Sequence, residues 1–151
     1  DAKGRELSLK EFVNIGVAVD TEYGLFVPVV QHCDTTSMVD ISEDISIMAG
    51  LAKEKKLSFE KMQGGTFTIS SLGSIGGVGF TPIVNAPQVA ILGASSVFDR
   101  PVRLPDDTLG WEKCLPVSLS YDHRIINGAD AARFCKRLEH NFKRLLGRGE
   151  S

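Results

Sequence analysis

Hydrophobic and polar positions change period several times along the chain, and each change marks an element. Residues 12–19 (FVNIGVAV) and 24–30 (GLFVPVV) are dense in β-branched and aromatic side chains, with Asp20 to Tyr23 between them. That pattern predicts two antiparallel strands joined by a turn. Pro28 lacks a backbone N–H, so the second strand has an edge or irregular portion. From 38 to 56 the period becomes helical: Met38, Ile41, Ile45, Met48 and Ala52 fall on one stripe. Ser37 with Asp40 three residues later resembles a capping box. Lys53, Lys55 and Lys56 suit the negative end of a helix dipole. A short basic run can also hold phosphate, but a solvated helix end explains it without a ligand.

A strand is expected at 66–71 (TFTISS), followed by the glycine-rich LGSIGGVGF. Residues 88–103 and 111–121 read as two long strands around the turn LPDDTLG. The last element is a helix over 129–146, with Ala131, Phe134, Leu138, Phe142 and Leu145 as its buried stripe. Asp130 stands at its start and Lys143 and Arg144 near its end, as the dipole prefers. The order is strand, strand, helix, strand, strand, strand, helix. It predicts an α+β two-layer sandwich, a mixed, mainly antiparallel sheet covered by helices. No internal repeat or low-complexity linker interrupts it.

Size and charge narrow the function. The 151 residues suffice for one domain with a core. At 42% hydrophobic and 24% charged the chain is an ordinary globular sequence. Its net charge of −2 gives no electrostatic reason to expect nucleic acid or an anionic membrane. No apolar run approaches the length of a membrane-spanning helix, and DAKGRELSLK does not resemble a signal peptide. Cys33, Cys114 and Cys135 are widely spaced, without a CxxC pair. Neither a disulfide framework nor a zinc site is expected, and reduced intracellular thiols acting as small apolar fillers fit better.

Three stretches carry candidate chemistry. GSIGGVG has no lysine in the P-loop place and does not match GxGxxG opening a helix, so its glycines read as positions of close approach or positive φ. No GxSxG elbow surrounds Ser70, Ser71 or Ser74. Ser71, at a strand end, is either a plain strand-end serine or a hydroxyl that donates into a site. SLSYDHRIINGADAARF places His123 between Asp122 and Arg124 on a strand-to-helix connection, with Asn127 and Gly128 before the last helix. A histidine there suits a base at neutral pH. The same cluster also fits a structural role, with Asp122 and Arg124 pairing with neighbours elsewhere. His32 and His140 have no comparable company and read as surface or satisfied residues.

SYDHRIING resembles the HxxxDG signature shared by dihydrolipoyl acyltransferases and chloramphenicol acetyltransferase. NIGVAVDTEYGLFVPVV, GGTFTISSLGSIGG, FTPIVNAPQVAILG and GADAARF resemble the dihydrolipoyl acyltransferases of 2-oxo acid dehydrogenase complexes, in family order across most of 12–138. The antibiotic acetyltransferase shares the fold and the histidine but not these stretches. The resemblance implies a chloramphenicol acetyltransferase-like fold and a homotrimer with active sites between subunits. It also implies a tunnel entered by coenzyme A from one end and dihydrolipoamide from the other. Residue by residue, it implies three catalytic positions: His123 as general base, Ser71 as the hydroxyl that stabilises the oxyanion, and Asn127, at the place where the family usually has Asp. Coenzyme A is then a substrate, the lipoyl group rides on a separate domain, and no metal is implied.

Thiol-to-thiol acyl transfer needs no enzyme nucleophile, because the substrate thiol attacks. VNAPQVAILG and HRIINGADAARF look more like acetyltransferases serving pyruvate dehydrogenase than like succinyl-transferring relatives. The resemblance further implies that 1–151 is the C-terminal portion of a single catalytic domain. The domain's N-terminal part, the lipoyl domain and the peripheral-subunit-binding domain are then absent. Lipoyl domains and dehydrogenase subunits are the implied partners, in bacterial cytoplasm or mitochondrial matrix. The polar end LLGRGES differs from the apolar tail that joins family trimers into cubic or dodecahedral cores. The alternative from another class is a non-catalytic core component that binds other subunits.

Overall fold

The computed structural model describes residues 6–147, and the expectations drawn on residues 1–5 and on the last four of LLGRGES lie outside them. The first hairpin forms as expected but in two ladders. Strands β1 (Ile15–Val17) and β4 (Val29–Val30) pair antiparallel, as do β2 (Val19–Thr21) and β3 (Gly24–Phe26). One register runs through both, with Ile15 opposite Val30 and Thr21 opposite Gly24. The break falls at Pro28, whose carbonyl accepts from Val17 at 2.9 Å but which has no N–H to return.

Helix α1 (Met38–Lys53) opens on the expected cap: the Ser37 hydroxyl accepts from Asp40 N at 3.2 Å and donates to the Asp40 carboxylate at 2.7 Å. It stops earlier than its lysines suggest. Lys56 N donates to Leu51 O and Lys55 N to Ala52 O, while Lys55 takes the left-handed φ of 56° that closes such an end. Of its stripe, Met48 and Ala52 are buried, whereas Met38 is exposed.

Strand β5 (Phe67–Ser71) returns parallel to β1, and β6 (Ala90–Ala94) runs parallel to β5. The two long strands expected at 88–103 and 111–121 are four: β6, β7 (Phe98–Arg103), β8 (Leu109–Cys114) and β9 (Val117–Tyr121). They still form one antiparallel ribbon with a bulge. Ala94 faces Val117 and Phe98 faces Cys114, so residues 95–97 oppose only 115–116. Pro116, which cannot donate, sits at the fault and accepts from Ser95 N at 3.0 Å.

The main sheet has the order β4-β1-β5-β6-β9, with two parallel and two antiparallel pairings. With the β2–β3 and β7–β8 ladders counted, antiparallel pairing predominates, and the whole is a mixed-sheet α+β fold. Helix α1 packs on β2 and β4, and α2 (Gly128–Leu145) on β9.

The core is Val29, Val30, Met48, Ala52, Ala90, Ile91, Leu92 and Ala131. Within it Asn14 is buried: its side chain accepts from His32 N and donates to Gly64 O, and its backbone N–H donates to Thr66 Oγ1. One side chain thus ties β1 to the turn after β4 and to the entry of β5. The stripe expected to be buried on α2 is not: only Ala131 is, and Phe134, Phe142 and Leu145 are exposed. Helix α2 meets the sheet where Phe134 approaches Phe67 of β5, at 5.9 Å between ring centroids.

Candidate functional site

His123 lies two residues beyond the last paired residue of β9, Tyr121, on an exposed turn. Its ring meets that of Tyr121 at 5.7 Å between centroids, tilted by 39°. Asp122 and Arg124 pair with each other rather than with neighbours elsewhere. The Arg124 side chain, and after it the Arg124 backbone N–H, hold the Asp122 carboxyl down at about 2, against an ordinary 3.8. The same bond pushes the guanidinium's own pKa up.

Asn127 ends this turn as the N-cap of α2. Its Oδ1 accepts from Asp130 N at 2.9 Å and its Nδ2 donates to the Asp130 carboxylate at 2.6 Å. Both ends of the amide therefore serve the helix start, satisfying one of the N–H groups a helix leaves unpaired.

Ser71 is the last residue of β5 and is exposed, its hydroxyl accepting from Gly73 N at 3.3 Å. Gly76 and Gly77 in the following loop take φ of 115° and 95°, the positive values their glycines anticipate. That loop is pinned twice. Ser96 Oγ donates to Gly73 O at 2.8 Å, and the Phe80 ring lies over Gly93 on β6, where a Cβ would come within 2.8 Å of it. Neither pin is visible in the sequence, because each joins residues more than ten positions apart through a strand pairing.

Strand register decides whether the expected residues meet. Ser71 lies opposite Ala94, at one end of β6. Tyr121 lies opposite Ala90, at the other end, and His123 continues away from it. At about 3.3 Å per residue, the two ends of β6 are roughly 13 Å apart before the extra residues are added. His123, Asp122 and Asn127 share the one connection between β9 and α2; Ser71 is not with them inside one chain.

His32 and His140 are both exposed, as expected. The three cysteines are free and half-buried. Among the described residues no group of three or more His, Cys, Asp or Glu is arranged to hold a metal, and no helix is long and apolar enough to cross a membrane.

An α+β domain with a histidine on a strand-to-helix turn and a strand-end hydroxyl is suited to acid–base catalysis of group transfer. The chain belongs to the family described as 2-oxoacid dehydrogenases acyltransferase (catalytic domain), whose model matches residues 1–146. It is 54% identical over 135 residues to the dihydrolipoyllysine-residue acetyltransferase component of the pyruvate dehydrogenase complex of Pseudomonas aeruginosa, covering 89% of this chain and 24% of that protein. It is also similar to a solved structure of Azotobacter vinelandii dihydrolipoamide acetyltransferase (TM-score 0.87, 51% identity, 91% of this chain and 56% of that one). That structure addresses the roles of a serine, a histidine and an asparagine in its catalytic mechanism. The cubic core of a pyruvate dehydrogenase multienzyme complex matches equally well, with TM-score 0.87, 51% identity and the same coverage of each chain. The chain therefore spans about a quarter of the curated relative and just over half of the solved chains.

Proposed function

We propose that this chain is a portion of a single acyltransferase catalytic domain that moves an acetyl group between dihydrolipoamide and coenzyme A. His123 is the general base. Its imidazole takes the proton of the attacking thiol, whose sulfur adds to the thioester carbonyl. The resulting oxyanion accepts a hydrogen bond from the Ser71 hydroxyl. Collapse expels the other sulfur as a thiolate, which receives the proton back from the imidazolium. Atoms and charge balance without an enzyme nucleophile or a metal. The Asn127 amide acts through the cap, fixing where the His123 turn meets α2.

Spacing supports the assignment. In the Azotobacter vinelandii enzyme the serine stands 52 positions before the histidine and the asparagine four after it. Ser71, His123 and Asn127 have the same spacings. The observation that carries the reading is that Ser71 and His123 leave β6 at opposite ends. A site using both is then assembled from two copies of the chain, in a homotrimer. Coenzyme A and a lipoyl group carried on another domain are its substrates, and the dehydrogenase subunits of a pyruvate-type complex its partners.

The deciding assay measures acetyl transfer from acetyl-CoA to dihydrolipoamide by the full-length protein. His123→Asn should lower turnover by about 10²–10⁴-fold, the usual contribution of a general base. Unchanged turnover would remove His123 from the reaction, and an inactive wild-type protein would leave a core component that only binds other subunits.

A further inference from the structure

We propose that Asp122 is a positioning residue for this transfer: its carboxylate locks the turn that carries His123, through the backbone N–H and the guanidinium of Arg124. The inference rests on the reading of His123 as base.

The β6–β9 ladder stops at Tyr121, and α2 begins at Gly128. Between them His123 is held neither by strand pairing nor by helix bonds, so local contacts must place it. Asp122 supplies most of them. Its N–H donates to Val89 O at 2.8 Å, continuing the anchor to the sheet by one residue. Its carbonyl accepts from Ile125 N at 3.0 Å and from Ile126 N at 2.9 Å. Its carboxylate reaches over His123 to take Arg124 N at 3.0 Å. The Arg124 side chain then closes on the same carboxylate, Nε at 2.9 and 3.2 Å and Nη2 at 2.6 Å. The residues on either side of His123 are thus bound to each other by backbone and side chain together. The Tyr121 ring bounds the imidazole.

The residue type follows from this geometry. Asn or Asp can each bridge to the backbone two residues on. Only a carboxylate also takes the parallel N–H groups of a guanidinium fork, which adds direction as well as strength. The Arg124 side chain is 74% exposed and that of Asp122 24%, and a pair with one partner so open to water contributes little to holding the whole fold. Its effect is concentrated on the six residues between β9 and α2, where the base sits.

The test is steady-state kinetics of the full-length protein with acetyl-CoA and dihydrolipoamide. For Asp122→Ala, kcat should fall about 10²-fold, the loss expected when a catalytic group is misplaced by about 1 Å. KM for each substrate should stay within about two-fold, since neither substrate is bound by Asp122. Asp122→Asn keeps the bond to Arg124 N, and Arg124→Ala keeps that N–H while losing the fork. Each should therefore recover part of the loss, to within about ten-fold of wild type. Wild-type kcat in Asp122→Ala overturns the proposal, as does a loss in Asp122→Asn equal to that in Ala, or a change confined to KM. If Asp122→Ala does not fold, as read by its melting temperature, the other two variants carry the test, and wild-type kcat in both overturns it. His123→Asn, run alongside, separates the two claims. An active His123→Asn defeats the base assignment, whereas an inactive one beside a fully active Asp122→Ala defeats the positioning role alone.

Discussion

At the scale of the residue, Asn127 shows how one side chain is committed by its neighbours. Its amide oxygen takes Asp130 N and its amide nitrogen holds the Asp130 carboxylate. Asn127→Ala should destabilise the protein by about 1 kcal/mol, the ordinary loss for an N-cap. Asn127→Ser should recover most of that, because a serine hydroxyl caps nearly as well. If capping is the whole role, kcat should follow stability through this series. Melting curves and kcat on the same samples check it: a Ser variant that regains stability but not turnover would place the amide at the reacting atoms. The sequence set Asn127 just before the last helix with Asp130 at its start, but the bonds that make it the cap were seen only in the structure. The Asp122–Arg124 pair was legible only as an ambiguity, since two charges flanking a histidine do not say whether they face each other.

At the scale of the element, β6 and β9 join β7 and β8 in a ribbon whose bulge at 95–97 reads in the sequence as continuous strand. β-Branched and aromatic residues are equally at home on either side of a bulge, so propensity does not mark the fault. What the bulge and the ladder above it arrange is the loop after Ser71, pinned by Ser96 and by Phe80 over Gly93. Gly93→Ala puts a methyl within 2.8 Å of the Phe80 ring. It should destabilise by about 1–3 kcal/mol, as overpacking does. In a Phe80→Ala background the same change should be nearly neutral, because the ring it strikes is gone. A thermal-denaturation double-mutant cycle measures this coupling, and purely additive losses would mean that Phe80 does not cover Gly93.

At the scale of the molecule, the parallel return of β5 and the antiparallel return of β9 send Ser71 and His123 off opposite ends of β6. The shared-site reading has a direct consequence for mixed assemblies. His123→Asn and Ser71→Ala should each be nearly inactive alone, the serine variant by about 10²–10³-fold, the usual loss for one oxyanion donor. In a cyclic trimer each interface draws its histidine from one copy and its serine from the next. Random co-refolding of the two variants should leave about a quarter of interfaces intact, and activity should rise to about that share of wild type. Activity that stays at the level of the separate variants, despite demonstrated subunit exchange, would sink the shared site.

Much of this protein followed from its sequence alone. The strand and helix periods, both hairpin ribbons, the cap at Ser37, the glycines needing positive φ and the placement of His123 on a strand-to-helix turn all depend on neighbours a few residues apart. Local spacing encodes those interactions directly. The strand order, the buried Asn14 junction, the open stripe of α2 and the separation of Ser71 from His123 were decided only by the tertiary structure. They depend on which distant strands pair and in which direction, and residues with the same local pattern satisfy several such pairings until packing selects one.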